Sequence, residues 1–205
     1  IKKTAKIVFF LSIQTLAFSM NKEMNIKTLI VKKPLKLDCG KTINNYPIAY
    51  ETYGSLNERK DNAILVFHAL TGDQFVTGIN PMTNKDGWWC YAVGPNKSID
   101  TNKYFVICSN VIGGCMGSFG PNHKDPDTQK ILGTNFPVIT INDMVNAQNN
   151  LLDHFGIEKL FSVVGGSMGG MQVLQFVSNF PHKTKTAVPI ACTSSHSAQN
   201  IALNE

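Results

Sequence analysis

The run Gly165-Gly-Ser167-Met-Gly169-Gly170 is where this sequence concentrates its capacity for chemistry. It spells Gly-x-Ser-x-Gly between an apolar, strand-like segment ending near Val164 and a segment of helical periodicity, the context that gives the motif meaning. A serine on so sharp a turn is held in a strained backbone conformation. The flanking glycines are needed because a Cβ there would collide with the neighbouring strand or helix. The turn lifts Oγ above the sheet edge, at the amino end of a helix whose dipole favours developing negative charge. A phosphate-cradling loop is the competing reading of any Gly-rich strand–helix turn, but neither Gly-Lys-Ser/Thr nor Gly-x-Gly-x-x-Gly is present. Ser167 is therefore the candidate nucleophile.

A nucleophilic serine needs donors for the oxyanion it creates. In this architecture one is the backbone N–H after the nucleophile, here Met168. The other comes from the loop after the third strand, His68-Ala-Leu-Thr-Gly72, where Leu70 is the first choice and Ala69 and Thr71 are its neighbours. Removing one such donor costs about 10²–10³ in rate. His68, at the strand end, is read as a locally bonded, packed side chain and not as the catalytic base. Cys115 in its Gly-rich loop reads as structural, Trp88 and Trp89 as packing a helix against the sheet, and Asp125-Pro-Asp127 as a solvated loop with no claim on a metal.

The elements that must position these groups follow from hydrophobic pattern. Strands are expected at Thr28–Lys33, Ile48–Tyr53, Ala63–His68, Tyr104–Ser109, Phe161–Gly165 and Ala187–Ala191. Continuous apolar runs at Ala63–Phe67 and Tyr104–Cys108 suit strands buried on both faces of a parallel sheet. The first two strands, more mixed, are expected at an edge. Thr140-Ile-Asn-Asp143 reads as a capping box, followed by a helix with Met144, Ala147, Leu151, Leu152 and Phe155 on one side and Gly156 as its stop. A second helix is expected over Met168–Asn179, ended by Pro181. This alternation implies a doubly wound α/β sheet with functional groups at the carboxyl ends of its strands.

Composition narrows the field further. A chain of 205 residues, 43% hydrophobic and 16% charged, is the size of about one domain with a real core. The net charge of +5 is misleading, because nine of the lysines, against only Glu23 and Asp38, fall in residues 1–41. The remainder is mildly acidic, and Arg59 is its one arginine, a poor endowment for reading nucleic acid. Five cysteines without a Cys-x-x-Cys spacing argue against a zinc site or a disulfide framework, and suit a reducing, cytoplasmic compartment. The apolar run Ile7–Phe18 is shorter than the ~20 residues of a membrane helix. Residues 1–24, which open on Ile, are read as a leader or as untranslated upstream sequence before Met20 or Met24. Residues 25–205 are read as the amino-terminal part of a larger catalytic domain.

Several blocks in order resemble the homoserine O-acetyltransferases, a family within the α/β-hydrolase superfamily. They are His68-Ala-Leu-Thr-Gly72, Gly87-Trp-Trp89, Val93-Gly-Pro95, Asn110-Val-Ile-Gly-Gly-Cys-Met-Gly-Ser118 with Gly120-Pro121, and Phe136-Pro137. Thr140-Ile-Asn-Asp-Met-Val145 with Ala147-Gln148, Val163-Val-Gly-Gly-Ser-Met-Gly-Gly-Met-Gln172 and Ser197-Ala-Gln-Asn200 continue the match. The resemblance implies an α/β-hydrolase fold and a two-step transfer in the cytoplasm, within methionine biosynthesis. Ser167 would take the acetyl group from acetyl-CoA, a co-substrate, with no resident cofactor or metal. The acyl-serine would pass the group to the hydroxyl of L-homoserine. It also implies a homodimer and a helical lid that keeps water away, with no membrane or nucleic-acid partner. Phe119 departs from the pattern, which has a small residue there, and bears on the pocket wall.

A larger departure concerns the triad. The superfamily order is Ser, Asp, His, yet no Asp follows Ser167, and only His182 and His196 lie downstream, both read as surface or loop residues. The expectation is that the triad Asp and His are not in this chain, which stops before the lid and last strands, and that the 205 residues alone are inactive. Succinyl-CoA as donor, serine as acceptor, or water as acceptor in an esterase are alternatives on the same scaffold. A non-catalytic hydrolase-fold scaffold is a distant third, disfavoured by the intact Ser167.

Overall fold

The computed structural model describes residues 26–125, 128–195 and 197–202. The expectations for residues 1–24, for His196 and for the Pro126-Asp127 part of the acidic loop lie outside them.

All six anticipated strands form, and together they make one six-stranded sheet. They are β1 (Thr28–Val31), β2 (Tyr46–Tyr53), β3 (Ala63–Phe67), β4 (Phe105–Ser109), β5 (Leu160–Gly166) and β6 (Thr184–Ile190). The order across the sheet is β1-β2-β4-β3-β5-β6. β4, β3, β5 and β6 run parallel, and β2 is antiparallel to both β1 and β4. Every residue of β3 and β4 is buried, as continuous apolar runs require. β2 corrects one expectation. It is not an edge strand, because it is paired on both sides, and its mixed sequence reflects partial exposure of its second half.

The two long helices have the expected bounds, α1 (Ile141–Phe155) and α2 (Met168–Asn179), and a short α3 (Ala198–Ala202) follows. At the start of α1, Thr140 Oγ1 accepts from the Asp143 amide while the buried Asp143 carboxylate accepts from Thr140 N–H at 2.9 Å. The same carboxylate accepts from Asp38 N–H at 2.9 Å, tying the helix to the hairpin of Leu35–Lys36 and Thr42–Ile43. At the other end Gly156 adopts the left-handed conformation (φ 65°), as a helix stop requires. Val145 and Gln148 lie deeper than Met144 and Phe155, which are only partly buried, so the inner face of α1 is rotated from the one expected.

Both faces of the sheet are covered, by different means. Leu65, Phe67, Ile107 and Val163 pack with Leu151 and Leu152 of α1 and Val173 and Phe176 of α2. The alternate residues Ile64, Val66, Val106 and Val164 face Val76, Val93 and Trp89 of the segment joining β3 to β4. No helix occurs among the described residues of that segment, contrary to strict strand–helix alternation. Gly78, Pro81, Gly87, Gly94 and Pro95 interrupt helical periodicity there. Short pairings of Ile79–Asn80 with Lys85–Asp86 and of Val93–Gly94 with Ile99–Asp100 replace it. Trp88 and Trp89 therefore do not pack a helix. Their rings stack on each other at 5.5 Å, and the Trp88 Nε1–H donates to Asp73 O at 2.9 Å.

Candidate active site

Ser167 stands at the carboxyl end of β5 and the amino end of α2, with φ 56° and ψ −123°. That is a region non-glycine residues rarely adopt, and surrounding structure must hold it there. Two backbone bonds do so. Ser167 N–H donates to Ile190 O of β6 at 3.0 Å, and Ser167 O accepts from Met171 N–H at 3.1 Å. The residue is exposed. Its glycine neighbours are sterically required, because a Cβ on Gly165 would come within 2.6 Å of the Gly169 backbone and one on Gly169 within 2.1 Å of Phe67 O. The elbow is thus pressed directly onto the end of β3.

Beside it lies a cleft of about 420 Å³ bordered by Met168, Leu70, Gly114, Cys115, Phe136 and Ile139. Both anticipated oxyanion donors, Leu70 and Met168, border it, and Ala69 and Thr71 do not. Neither the Leu70 nor the Met168 amide has a hydrogen-bond partner among the described residues. Leu70 is 78% exposed. Exposed Cys115 borders the same cleft.

His68 is buried beneath this loop, and its bonds define its tautomer. Val111 N–H can only donate, so Nε2 accepts it, at 3.1 Å. Nδ1 then carries the proton and donates to Ala69 O at 2.7 Å. Burial holds the imidazole below its ordinary value of 6.5, against the opposing effects of the Ala69 carbonyl and Asp73. A neutral ring with both nitrogens engaged is not available as a general base, in keeping with the sequence reading. Asn110 extends the network by accepting from Met116 N–H through Oδ1, and its carbonyl accepts from Ser118 Oγ at 2.6 Å.

No hydrogen-bonded His–Asp pair occurs among the described residues, and no group of three or more His, Cys, Asp or Glu there could hold a metal. His182 is exposed in the turn leading into β6. Because β6 runs parallel to β5, that turn lies at the opposite end of the sheet from Ser167. Phe119 packs on Phe136 at 5.2 Å and on His123 at 5.5 Å, and borders a neighbouring groove. It does not line the serine cleft itself but backs its wall, through the ring of Phe136 and through its carbonyl, which accepts from Gly113 N–H at 2.7 Å.

Sequence reasoning missed Gln148 and Gln172. Both are buried, and Gln148 Nε2 donates to Gln172 Oε1 at 3.0 Å. Their signal was present as a polar residue inside each apolar helix stripe, Gln148 beside Ala147 and Leu151, and Gln172 beside Val173 and Phe176.

A family model described as the alpha/beta hydrolase fold matches residues 62–202. A protein of Pelagibacter ubique named homoserine O-acetyltransferase is 76% identical over 186 residues, which are 91% of this chain and 50% of that protein. The solved homoserine O-acetyltransferase of Bacillus anthracis superposes with a TM-score of 0.77 at 32% identity, over 85% of this chain and 49% of that one. An acetylester hydrolase of Corynebacterium glutamicum does so with a TM-score of 0.69 at 34% identity, over 85% of this chain and 46% of that one. The chain spans about half the length of the curated relatives it matches. These relatives agree with the resemblance drawn from the sequence blocks.

Proposed function

The chain belongs to the α/β-hydrolase fold family, and on that premise we propose that it supplies the nucleophilic half of an acyltransferase acting on acetyl-CoA and L-homoserine. Ser167 Oγ attacks the thioester carbonyl, its proton passing to a general base outside the described residues. The carbonyl oxygen becomes an oxyanion received by the Leu70 and Met168 amides. The C–S bond then breaks, and the CoA thiolate leaves and takes up a proton. In the second half the homoserine side-chain hydroxyl attacks the acetyl-serine, giving O-acetyl-L-homoserine and free Ser167. Two acyl transfers of moderate barrier replace one of higher barrier. The reaction uses no resident cofactor.

The observation that carries this reading is an exposed serine at φ 56°, followed by a residue, Met168, that borders the same cleft as Leu70, with both of their amides unbonded among the described residues. The test uses the longest open reading frame that contains these 205 residues. Thiol release from acetyl-CoA is followed with and without L-homoserine, with succinyl-CoA and L-serine run in parallel. Homoserine-dependent release is expected, and Ser167→Ala is expected to lower it by about 10⁶, as for a triad serine in a protease. Undiminished release by Ser167→Ala refutes the proposal. The likeness to a solved acetylester hydrolase favours one second reading, an esterase with water as acceptor. It predicts thiol release or acetyl-ester cleavage that homoserine does not stimulate.

A further inference from the structure

Leu70 and Met168, the two residues whose amides would receive the oxyanion, come from segments about a hundred residues apart, and a single buried side chain spans those segments. Gln172 Nε2 donates to His68 O at 3.2 Å and to Met168 O at 3.4 Å. Both partners are backbone carbonyls, which can only accept, so the NH₂ end of the amide must face them. Its Oε1 is occupied by Gln148 Nε2 at 3.0 Å. Gln172 therefore touches the residue just before the Ala69–Leu70 peptide and the residue that itself carries the other amide.

A peptide unit is planar, so fixing a carbonyl fixes the N–H on its opposite side. The Ala69 carbonyl, in one unit with the Leu70 N–H, accepts from His68 Nδ1 at 2.7 Å and from Gly72 N–H at 2.9 Å. The His68 carbonyl, one unit earlier, accepts from Gln172. Both units leading to the Leu70 amide are thus anchored through their oxygens, and the earlier one is anchored to the first turn of α2.

We infer that Gln172 is a positioning residue that ties the segment carrying the Leu70 amide to the first turn of α2 and so sets its separation from the Met168 amide, whose own aim is fixed by the Met171 N–H bond to Ser167 O, with Gln148 holding the Gln172 carboxamide in the required orientation. This rests on the acyl-transfer reading of Ser167 and goes beyond it. Gln172 touches no reacting atom. Its contribution appears when the carbonyl oxygen becomes an oxyanion, so its loss lowers kcat and leaves KM nearly unchanged.

The experiment uses the full-length protein and two variants. Gln172→Met keeps the length and removes both donors, and kcat is expected to fall about 10- to 100-fold with KM within about threefold, a share of what deleting an oxyanion donor costs. Gln172→Glu keeps the shape, so it carries the test if the methionine variant does not fold. Protonated, it donates one O–H, and ionised it donates none. Its activity is expected to show a descending limb with rising pH that the parent lacks, a change a purely structural role would not produce. Hydrogen exchange of the peptide spanning residues 68–72 is measured alongside, and both variants are expected to exchange faster there at pH 8. Parent-like kcat in Gln172→Met, a loss expressed wholly in KM, or a parent-like pH profile in Gln172→Glu would overturn the inference. If the parent protein is itself inert towards acyl donors, the acyltransferase reading fails, and the exchange rates alone decide the positioning role, with unchanged rates refuting it.

Discussion

Replacing Gly169 by alanine should force the nucleophile elbow away from β3. A Cβ built at Gly169 lies 2.1 Å from Phe67 O, 2.9 Å from Phe67 C and 3.1 Å from His68 O. Real Cβ atoms essentially never approach another heavy atom within 3.0 Å, so about 0.9 Å of movement is required. All three atoms are backbone at the end of a fully buried strand paired on both sides, and no flexible side chain can yield in their place. Overpacking of this kind costs about 1–3 kcal/mol. A displacement of about 1 Å at the reacting group costs about 10²-fold in rate. Gly166 provides the control three residues earlier, because a Cβ there meets only Ile190 O, at 3.9 Å. Gly166→Ala should change stability by no more than about 0.5 kcal/mol. The assay is the urea midpoint of each variant together with the rate at which a fluorophosphonate captures Ser167 in the full-length protein. Parent-like values for Gly169→Ala, or equal damage from both substitutions, would refute the steric account of the motif.

Three further outcomes follow from the same geometry. Leu70→Ala should leave turnover near the parent value because that side chain is exposed, whereas Leu70→Pro removes the amide and should lower kcat by about 10²–10³; equal kcat in the two variants would point to Ala69 or Thr71 instead. The His68 pKa is depressed on folding, so its contribution to stability is complete above the unfolded value of 6.5 and is lost as pH falls towards the folded value. A Gln variant at His68 should remove that acid-side loss from a series of urea midpoints, and an unchanged pH dependence would contradict the neutral tautomer. Asp143→Asn should destabilise by about 1 kcal/mol, because Asp38 N–H and Thr140 N–H bond different oxygens of the carboxylate and the carboxamide replaces one of those oxygens by NH₂, so one part-buried donor loses its acceptor; a parent-like midpoint would show that the capping box carries no weight.

The scaffold was readable wherever burial is complete and local. β3 and β4 are apolar without interruption because both faces are covered, and α1 begins and ends on residues whose capping chemistry is contained in a few neighbouring positions. The β3–β4 connection was harder, since a face of the sheet can be covered by an irregular segment whose backbone is satisfied by Asp73, Asn80 and Asp100 side chains instead of by helix bonds. Nothing in periodicity separates that case from a helix of weak pattern. At the candidate site, Ser167, Leu70 and Met168 were accessible because their spacing is short or tied to strand ends. Gln172 and Gln148 were not, because their partners are distant in the chain, and only the fold reveals that two glutamines in apolar stripes meet beneath the cleft.

The engagement of both His68 nitrogens also bears on how this protein would respond to chemical labelling. A reagent such as diethyl pyrocarbonate acylates an accessible imidazole lone pair, and His68 offers none, being buried with Nε2 already occupied by Val111 N–H. His154 and His182, both exposed, would be modified first. Inactivation that tracks neither of these would trace to another imidazole, and sequencing the carbethoxylated peptide would locate it and test whether it is the general base of the proposed acyl transfer.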